Sequence, residues 1–387
     1  MTFTLTVGWR AFLGSVVMLL AACASAPPVS FVPSQAAKVA PQKDEAAVHP
    51  PDAAGLPSVS RGNSRWVAVP WSDLPGFEHD ALYEAWNAWL KSCERPGPVF
   101  APLCPEVRSL SIGGEAAQRQ WLMERLQPYR VESVQEGNTG LLTAYFEPEL
   151  EARRTPSPGF EVPLFQLPAG LTTGRTWFTR QEIETLPEAK AALRGREIAY
   201  VADPVQAMVL QIQGSGRLRV TETDGRQQLV RLAYAGHNGQ PYQSVGRWLL
   251  DQGEVRDASW PGIRAWMLQH PQRVSELLWH NPRMVFFKEE ALNDFDSGFG
   301  PRGAQGVALT PGRSIAVDPQ SIPYGTPVWL VSEGPQLVLQ RLVLAQDTGS
   351  AIRGVVRADY FAGWGAGAGE LAGRLKQPLR LWALWPK

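Results

Sequence analysis

The spacing of apolar and polar positions changes character several times along this chain. Residues 80–92 (DALYEAWNAWLKS) place Leu82, Ala85, Trp86 and Trp89 at helical intervals, and residues 115–126 repeat that spacing. GLLTAYFEPEL, 140–150, predicts a strand that ends at Pro148. Thr179 and Glu182 form a capping-box pair that predicts a helix from Arg180. From residue 198 the period switches. IAYVADP, QAMVLQIQGSG and RLRVTET-DG-RQQLVRLAYAG predict strands, with Asp224-Gly225 as a hairpin turn. Helical spacing returns over 244–280 in SVGRWLLDQ, IRAWMLQH and RVSELLWH. After NPRMVFF, short strands alternate with Gly and Pro: VALTPGRSIAVDP, TPVWLVSE, LVLQRLVLAQD and finally LRLWALW. Many short strands punctuated in this way indicate a barrel or sandwich. No internal repeat is visible.

The N-terminus follows different rules. Arg10 is the only charge before residue 23, residues 11–20 are apolar or small, and Leu20-Ala21-Ala22-Cys23 follows. A basic start, a short apolar stretch and small residues at the cut describe a secretory signal over 1–22. The apolar stretch is too short for a comfortable membrane span. Cysteine after Leu-Ala-Ala resembles a bacterial lipobox, in which Cys23 is acylated and becomes the first residue. The alternative is an ordinary signal with a chance cysteine. Ala24, rather than Asp, stands next to it, so the lipobox reading implies the outer membrane, facing the periplasm. Residues 23–62, rich in Ala, Pro, Ser and Val from 26 onward, predict a flexible tether. Extended at about 3.1 Å per residue, it would reach roughly 100 Å.

Composition narrows the classes. Thirty-seven basic and 37 acidic residues give a formal net charge of zero, which excludes a nucleic-acid partner needing a basic face. With Cys23 acylated, Cys93 and Cys104 remain as an even pair that an oxidising compartment can bridge. The five His are scattered, and neither CxxC nor HExxH occurs. No metal site and no cofactor are expected. Fifteen Trp is high; indole rings stack on sugars, but most belong to cores. The length beyond the tether makes two domains the expectation.

The chemistry concentrates in AQDTGSAIRG followed by VVRADYFAGWG, residues 345–365. Asp347 sits in a turn of small residues at the mouth of an apolar strand, with Asp359 twelve residues on. That placement suits a lone acid/base. An Asx turn is the plain alternative. Gln211, Gln213 and Ser215 alternate along a predicted strand, as groups for sugar hydroxyls would, or as an ordinary polar face would. Ser215 lies outside any GxSxG elbow. The Gly run at 363–369 lacks the βαβ context of a dinucleotide site.

Several runs together resemble one family, the membrane-bound lytic murein transglycosylases of the MltA type. They are Thr143-Ala144-Tyr145-Phe146, Gln211-Ile212-Gln213-Gly214-Ser215-Gly216, Tyr234-Ala235-Gly236-His237-Asn238-Gly239, Ser244-Val245-Gly246-Arg247, Asn281-Pro282 with Phe286-Phe287, and a C-terminal block similar to the three-aspartate (3D) domain, carrying Asp318, Asp347 and Asp359. The resemblance runs in order from about 65 to 385. His237 departs from the family's run, which carries Lys there, and Phe146-Glu147-Pro148 stands where many members have Tyr-Thr-Pro.

The resemblance implies a mainly β fold with helices (α+β): a double-psi β-barrel from 63–150 and 283–387, its 3D domain at about 305–385, and a second, barrel-like domain inserted at 151–282. It implies cleavage of the β-1,4 bond between N-acetylmuramic acid and N-acetylglucosamine in peptidoglycan, without water, leaving 1,6-anhydromuramoyl ends. Asp347 would be general acid and then base, with Asp318 and Asp359 supporting it. Thr143, Tyr145, Gln211, Gln213, Ser215, Gly236 and Asn238 would bind glycan strands. Gly236 equally serves a backbone turn, and Asp318 before Pro319 equally holds one. The expected partners are glycan strands and membrane lipid through Cys23, with a wall-synthesis complex left open. A non-catalytic wall-binding lipoprotein and a hydrolytic muramidase remain as alternatives.

Overall fold

The computed structural model describes residues 58–172 and 174–387; the signal segment, Cys23 and most of the expected tether lie outside them. The paired chain starts inside that tether, because Ser58–Arg61 forms a strand against Ser64–Ala68.

Six strands close on themselves. In ring order they are Gly140–Glu147, Lys376–Pro386, Pro327–Glu333, Val338–Asp347, Ser314–Val317 and Arg357–Trp364, the last pairing back to the first. Five come from the C-terminal part and one from the N-terminal part, so the barrel needs both ends of the chain. Lys376–Pro386 makes this possible by length. Its first residues pair with Gly140–Glu147 and its last with Leu126–Ser133, which carries the N-terminal hairpin onto the same sheet.

Alternation along each strand sorts side chains between two cores. Val328, Leu330, Val343, Ala345, Leu379, Leu381 and Ala383 fill the barrel interior. Their neighbours Trp329, Val331, Leu342, Leu344, Trp382 and Leu384 point outward, under the helices Leu82–Ser92, Cys104–Ser109 and Glu115–Arg125. Trp86, Trp89 and Trp121 pack edge to face or tilted at 5.4–5.7 Å between centroids. These tryptophans are core, and the helix spacing read from the sequence is the spacing that buries them. Cys93 and Cys104 are joined, with S–S 2.00 Å, and clip the end of the first helix to the start of the second.

A second sheet of six strands occupies the inserted part, in the order Val285–Ala291, Gln227–His237, Gly216–Thr221, Glu149–Arg153, Glu197–Val201, Val162–Phe165. A bridge between Gln166 and Phe287 brings its two edges together, so this sheet is nearly a barrel. Its interior is Leu164, Ile198, Val201, Leu210, Leu218, Val220, Leu232 and Phe287. The sheet continues to Ala291, beyond the boundary at 282 expected from sequence, since Val285–Ala291 pairs with Gln227–His237.

One element differs in kind. The run QAMVLQIQ was expected as a strand; it lies in a helix, Pro204–Gln213. Asp203 caps it by accepting from the Val205 N–H at 2.8 Å, Pro204 starts it, and Gly214 at φ 82° ends it. The helix is buried on two sides: Ala207 and Leu210 face the sheet, while Val205 and Met208 face the helices of 244–280. A helix apolar on two faces shows no stripe, which is why its period misled.

Candidate active site

Four residues on four adjacent strands form a row. Thr143 registers with Asp359, Asp359 with Ala316, and Ala316 with Asp347. Neighbours in register share a face. Leu142, Ala358, Ile315 and Val317 are inside the barrel, so Thr143, Asp359 and Ala316 lie on its outside.

Asp347 joins them through a β-bulge. Ile315 faces Ala345 but Ala316 faces Asp347, leaving Gln346 as an extra residue. A strict alternation from Val343 and Ala345 would have turned Asp347 inward. The bulge lets two successive residues leave the interior. Gln346 turns to the N-terminal helix, donating from Nε2 to the Ala88 carbonyl at 2.7 Å and to Ser92 Oγ at 2.8 Å. Asp347 turns to the row.

Its two oxygens have different surroundings. Oδ1 accepts from the Ala304 and Thr348 amides, both at 2.9 Å. Oδ2 accepts from Tyr145 Oη at 2.9 Å. The loop that supplies Ala304 approaches closely because Gly303 has no side chain: a Cβ there would sit 2.5 Å from the Gln346 carbonyl oxygen and 3.1 Å from Asp347 Cβ. Thr348 is fixed by its own hydroxyl, which donates to the Val317 carbonyl at 2.8 Å.

Burial raises the Asp347 carboxyl to about 6, against the three hydrogen bonds that favour its ionised form; the Asp359 charge adds to the rise. The carboxyl is packed by protein while the residue keeps an accessible edge. Burial, and then the Asp347 charge, hold the Tyr145 phenol well above its ordinary value, so it remains a donor. The Tyr145 ring is braced by Phe361, 5.3 Å between centroids.

Asp359 is engaged otherwise. Its Oδ1 accepts from Thr143 Oγ1, which itself accepts from Arg357 Nη2 at 2.7 Å. Burial raises its carboxyl too, with the Thr143 bond and the Arg357 charge opposing. Asp318 is buried and serves a turn: Oδ1 accepts from the Gln320 amide at 3.0 Å and Oδ2 from the Gly354 amide at 3.1 Å. It ties the strand end to the loop after Asp347.

The inserted residues expected to bind sugar are placed unevenly. Gln211 is on a helix, not a strand, and its Oε1 accepts from Arg180 Nη2 at 2.6 Å inside the protein. Gln213, at the end of that helix, accepts from the Phe146 amide at 3.0 Å, joining insert to barrel. Ser215 is buried. Gly236 lies in the strand Gln227–His237, where a Cβ would come within 2.9 Å of Leu167 Cδ1. Asn238 is 0% exposed and spends its side-chain hydrogen bonds within the fold. Its Nδ2 donates to the Phe178 and Pro282 carbonyls, each at 2.8 Å, and Oδ1 accepts from the Met284 amide at 3.0 Å.

Sequence reasoning missed the Ala304 amide, Gly303, Ala316 and Arg357. The Gly-rich stretch Gly300–Gly306 was the available signal for the first two. Two charged cavities of about 320 and 360 Å³, around Asp80–Arg313 and Arg154–Glu222, lie away from Asp347 and contain ions already paired with each other. Among the described residues there is no cluster of three metal-ligating side chains and no helix long and apolar enough to cross a membrane.

Known proteins match this arrangement. The model of the MltA specific insert domain matches residues 141–288, and that of the 3D domain matches residues 313–385. Membrane-bound lytic murein transglycosylase A of Vibrio cholerae is 33% identical over 319 residues, 78% of this chain and 75% of that protein. Among solved structures, the lytic transglycosylase LtgG of Burkholderia pseudomallei is 40% identical with a TM-score of 0.58, covering 86% of this chain and 97% of the other. MltA from Neisseria gonorrhoeae is 28% identical with a TM-score of 0.72, covering 85% and 94%. The overall fold is thus shared with solved lytic transglycosylases, and this chain belongs to the membrane-bound lytic murein transglycosylase A family.

Proposed function

We propose that this protein cuts peptidoglycan glycan strands as a lytic transglycosylase, breaking the β-1,4 bond between N-acetylmuramic acid and N-acetylglucosamine. The observation that carries this reading is the asymmetry of Asp347: one oxygen pinned by two amides, the other facing Tyr145, and a carboxyl raised to about 6 by burial. With Oδ1 committed, the proton resides on Oδ2. Oδ2–H protonates the glycosidic oxygen, and the N-acetylglucosamine leaves as a free 4-hydroxyl. The muramoyl C1, now oxocarbenium-like, is attacked by its own C6 oxygen. The C6 hydroxyl proton goes to Asp347 Oδ2, restoring the acid. Donors on both oxygens stabilise the carboxylate in the interval, which lowers the barrier for the first transfer.

A single carboxylate suffices because the nucleophile is part of the electrophile, giving a high effective concentration. Asp359 has its Oδ1 engaged by the Thr143 hydroxyl, so it is held in the wall rather than set against a water. The product ends in a 1,6-anhydromuramoyl unit. Attachment through acylated Cys23, with a tether reaching outward from the outer membrane, is part of the same proposal and rests on the sequence run around Cys23. Asp347→Asn tests the assignment: it should abolish release of anhydro products from isolated sacculi while preserving strand binding. Near-parental release would refute Asp347 as the acid.

A further inference from the structure

We propose that Arg283 reads the carboxylate carried by muramoyl residues, and so sets the register in which a glycan strand lies across Asp347. This rests on peptidoglycan being the substrate, as argued above. Arg283 belongs to the inserted part, in a segment held on both sides: Arg180 N and Asn238 Nδ2 donate to the Pro282 carbonyl at 2.9 and 2.8 Å, and Asn238 N donates to the Met284 carbonyl at 3.1 Å. Its Nε donates to the Gln240 carbonyl at 2.8 Å. Its Nη1 reaches the barrel side, 3.3 Å from Ser350 Oγ, three residues past Asp347. The guanidinium is therefore aimed at the loop that follows the acid.

It is half-buried, and among the described residues it has no ion-pair partner. The buried arginines between barrel and insert are paired instead: Arg217 and Arg231 both hold Glu147. Around Arg283 stand Tyr234, Tyr242 and His237, each close enough to feel its charge. Tyr234 is 50% exposed and Tyr242 37%. His237 accepts the Gly239 N–H on Nδ1 at 2.9 Å, which leaves Nε2–H as its donor. Burial, and then Arg283, lower the His237 imidazole below its usual value, so it does not add a second charge. The corner holds one fixed cation, open rings and a neutral donor.

Such a corner suits an anionic sugar. In the alternating strand, N-acetylglucosamine is neutral. Only the muramoyl unit bears a carboxyl group, on its 3-O-lactyl arm, either free or amide-linked to a stem peptide with carboxylates of its own. Both sources offer the same chemistry to a guanidinium, a planar carboxylate that can accept two N–H bonds. A cation at a fixed distance from Asp347 makes one of the two β-1,4 linkages in each disaccharide preferred, because shifting the strand by one sugar removes the anion from Arg283.

Affinity measurements separate the cases. With Asp347→Asn as the carrier, so that strands stay intact, binding is measured for stem-bearing strands, for strands stripped of peptide by an amidase, and for chitohexaose, which is neutral. Arg283→Gln should weaken binding of the muramoyl strands about tenfold or more, the worth of a charge-assisted hydrogen bond, and leave chitohexaose unchanged. Arg283→Lys, keeping the charge, should restore part of the loss and also decides the matter if Arg283→Gln does not fold. Loss on stripped strands identifies the lactyl carboxylate; loss on stem-bearing strands alone identifies the peptide. An equal loss on all three ligands, or none on any, overturns the proposal. The assay reads no product, so a failure of the transglycosylase mechanism would leave the result for Arg283 standing.

Discussion

Asp347 and Asp359 stand opposite the same residue, Ala316, on the two strands that flank it. Two strand spacings put their backbones about 10 Å apart, with only a methyl group between. Burial raises both carboxyls, yet their partners differ: amides and a phenol for Asp347, a threonine hydroxyl backed by an arginine for Asp359. The difference divides the labour. Asp347 has an oxygen positioned for proton exchange, and Asp359 is built into the wall beside it.

Asp347→Asn should lower the cleavage rate by about 10²–10⁴-fold or more, since one group serves both half-reactions. The same variant should change stability with a definite sign. The folded carboxyl titrates near 6 and the unfolded one near 3.9. The native state therefore holds its proton more tightly between those values, and stability falls as pH rises through that window. The cost is absent below about 4 and complete above about 6, amounting to about 3 kcal/mol for two pH units. Thermal melts should show Asp347→Asn stabilised at pH 7 and unchanged at pH 4.

The rate on soluble strands should fall as pH rises past about 6, where the free enzyme loses its acid form. Tyr145→Phe removes a hydrogen bond that favours the ionised carboxyl. Its falling limb in kcat/KM should move to higher pH while kcat drops, because the carboxylate formed in the reaction loses a donor. A limb that stays in place, or moves down, would contradict the assignment of Tyr145.

Gly303→Ala should damage catalysis without replacing any side chain of the site. The added methyl meets the Gln346 carbonyl and Asp347 Cβ, so the loop must retreat and take the Ala304 amide with it. A displacement of that order costs about 10²-fold. Activity near the parental level, with an unchanged melting temperature, would show that the Ala304 bond is dispensable.

The junction between barrel and insert makes a separate prediction. Glu147 is fully buried; it accepts from Arg217 Nε at 2.8 Å and Arg231 Nε at 2.7 Å, and those arginines also donate to the Ser297 and Phe299 carbonyls where the chain returns to the barrel. One carboxylate thus holds both crossovers. Glu147→Gln leaves two buried cations without a countercharge and should cost about 3–5 kcal/mol in urea unfolding, with proteolysis first appearing near residues 292–299.

Much of this was legible beforehand, and the misses have physical causes. The capping box at Thr179–Glu182 and the Asp224-Gly225 hairpin are local chemistry and formed as read. The three aspartates could be named from their surrounding runs. Their unequal roles could not, because the division depends on a bulge at Gln346 that alternation alone does not announce. The helix Pro204–Gln213 was hidden by being apolar on two sides, although Asp203, Pro204 and Gly214 marked its ends. Asn238 looked like a ligand group because a polar residue in a Gly-rich run suggests a surface; the fold uses it to hold four backbone groups, at Phe178, Gln240, Pro282 and Met284.

The most direct test of the central claim is digestion of sacculi in ¹⁸O-water, with mass spectrometry of the new muramoyl ends. Attack by the C6 hydroxyl predicts 1,6-anhydro termini that carry no label. Hydrolysis with Asp359 activating water shares the acid step and differs only in the second nucleophile. Muramoyl termini that carry ¹⁸O would contradict the single-carboxylate mechanism.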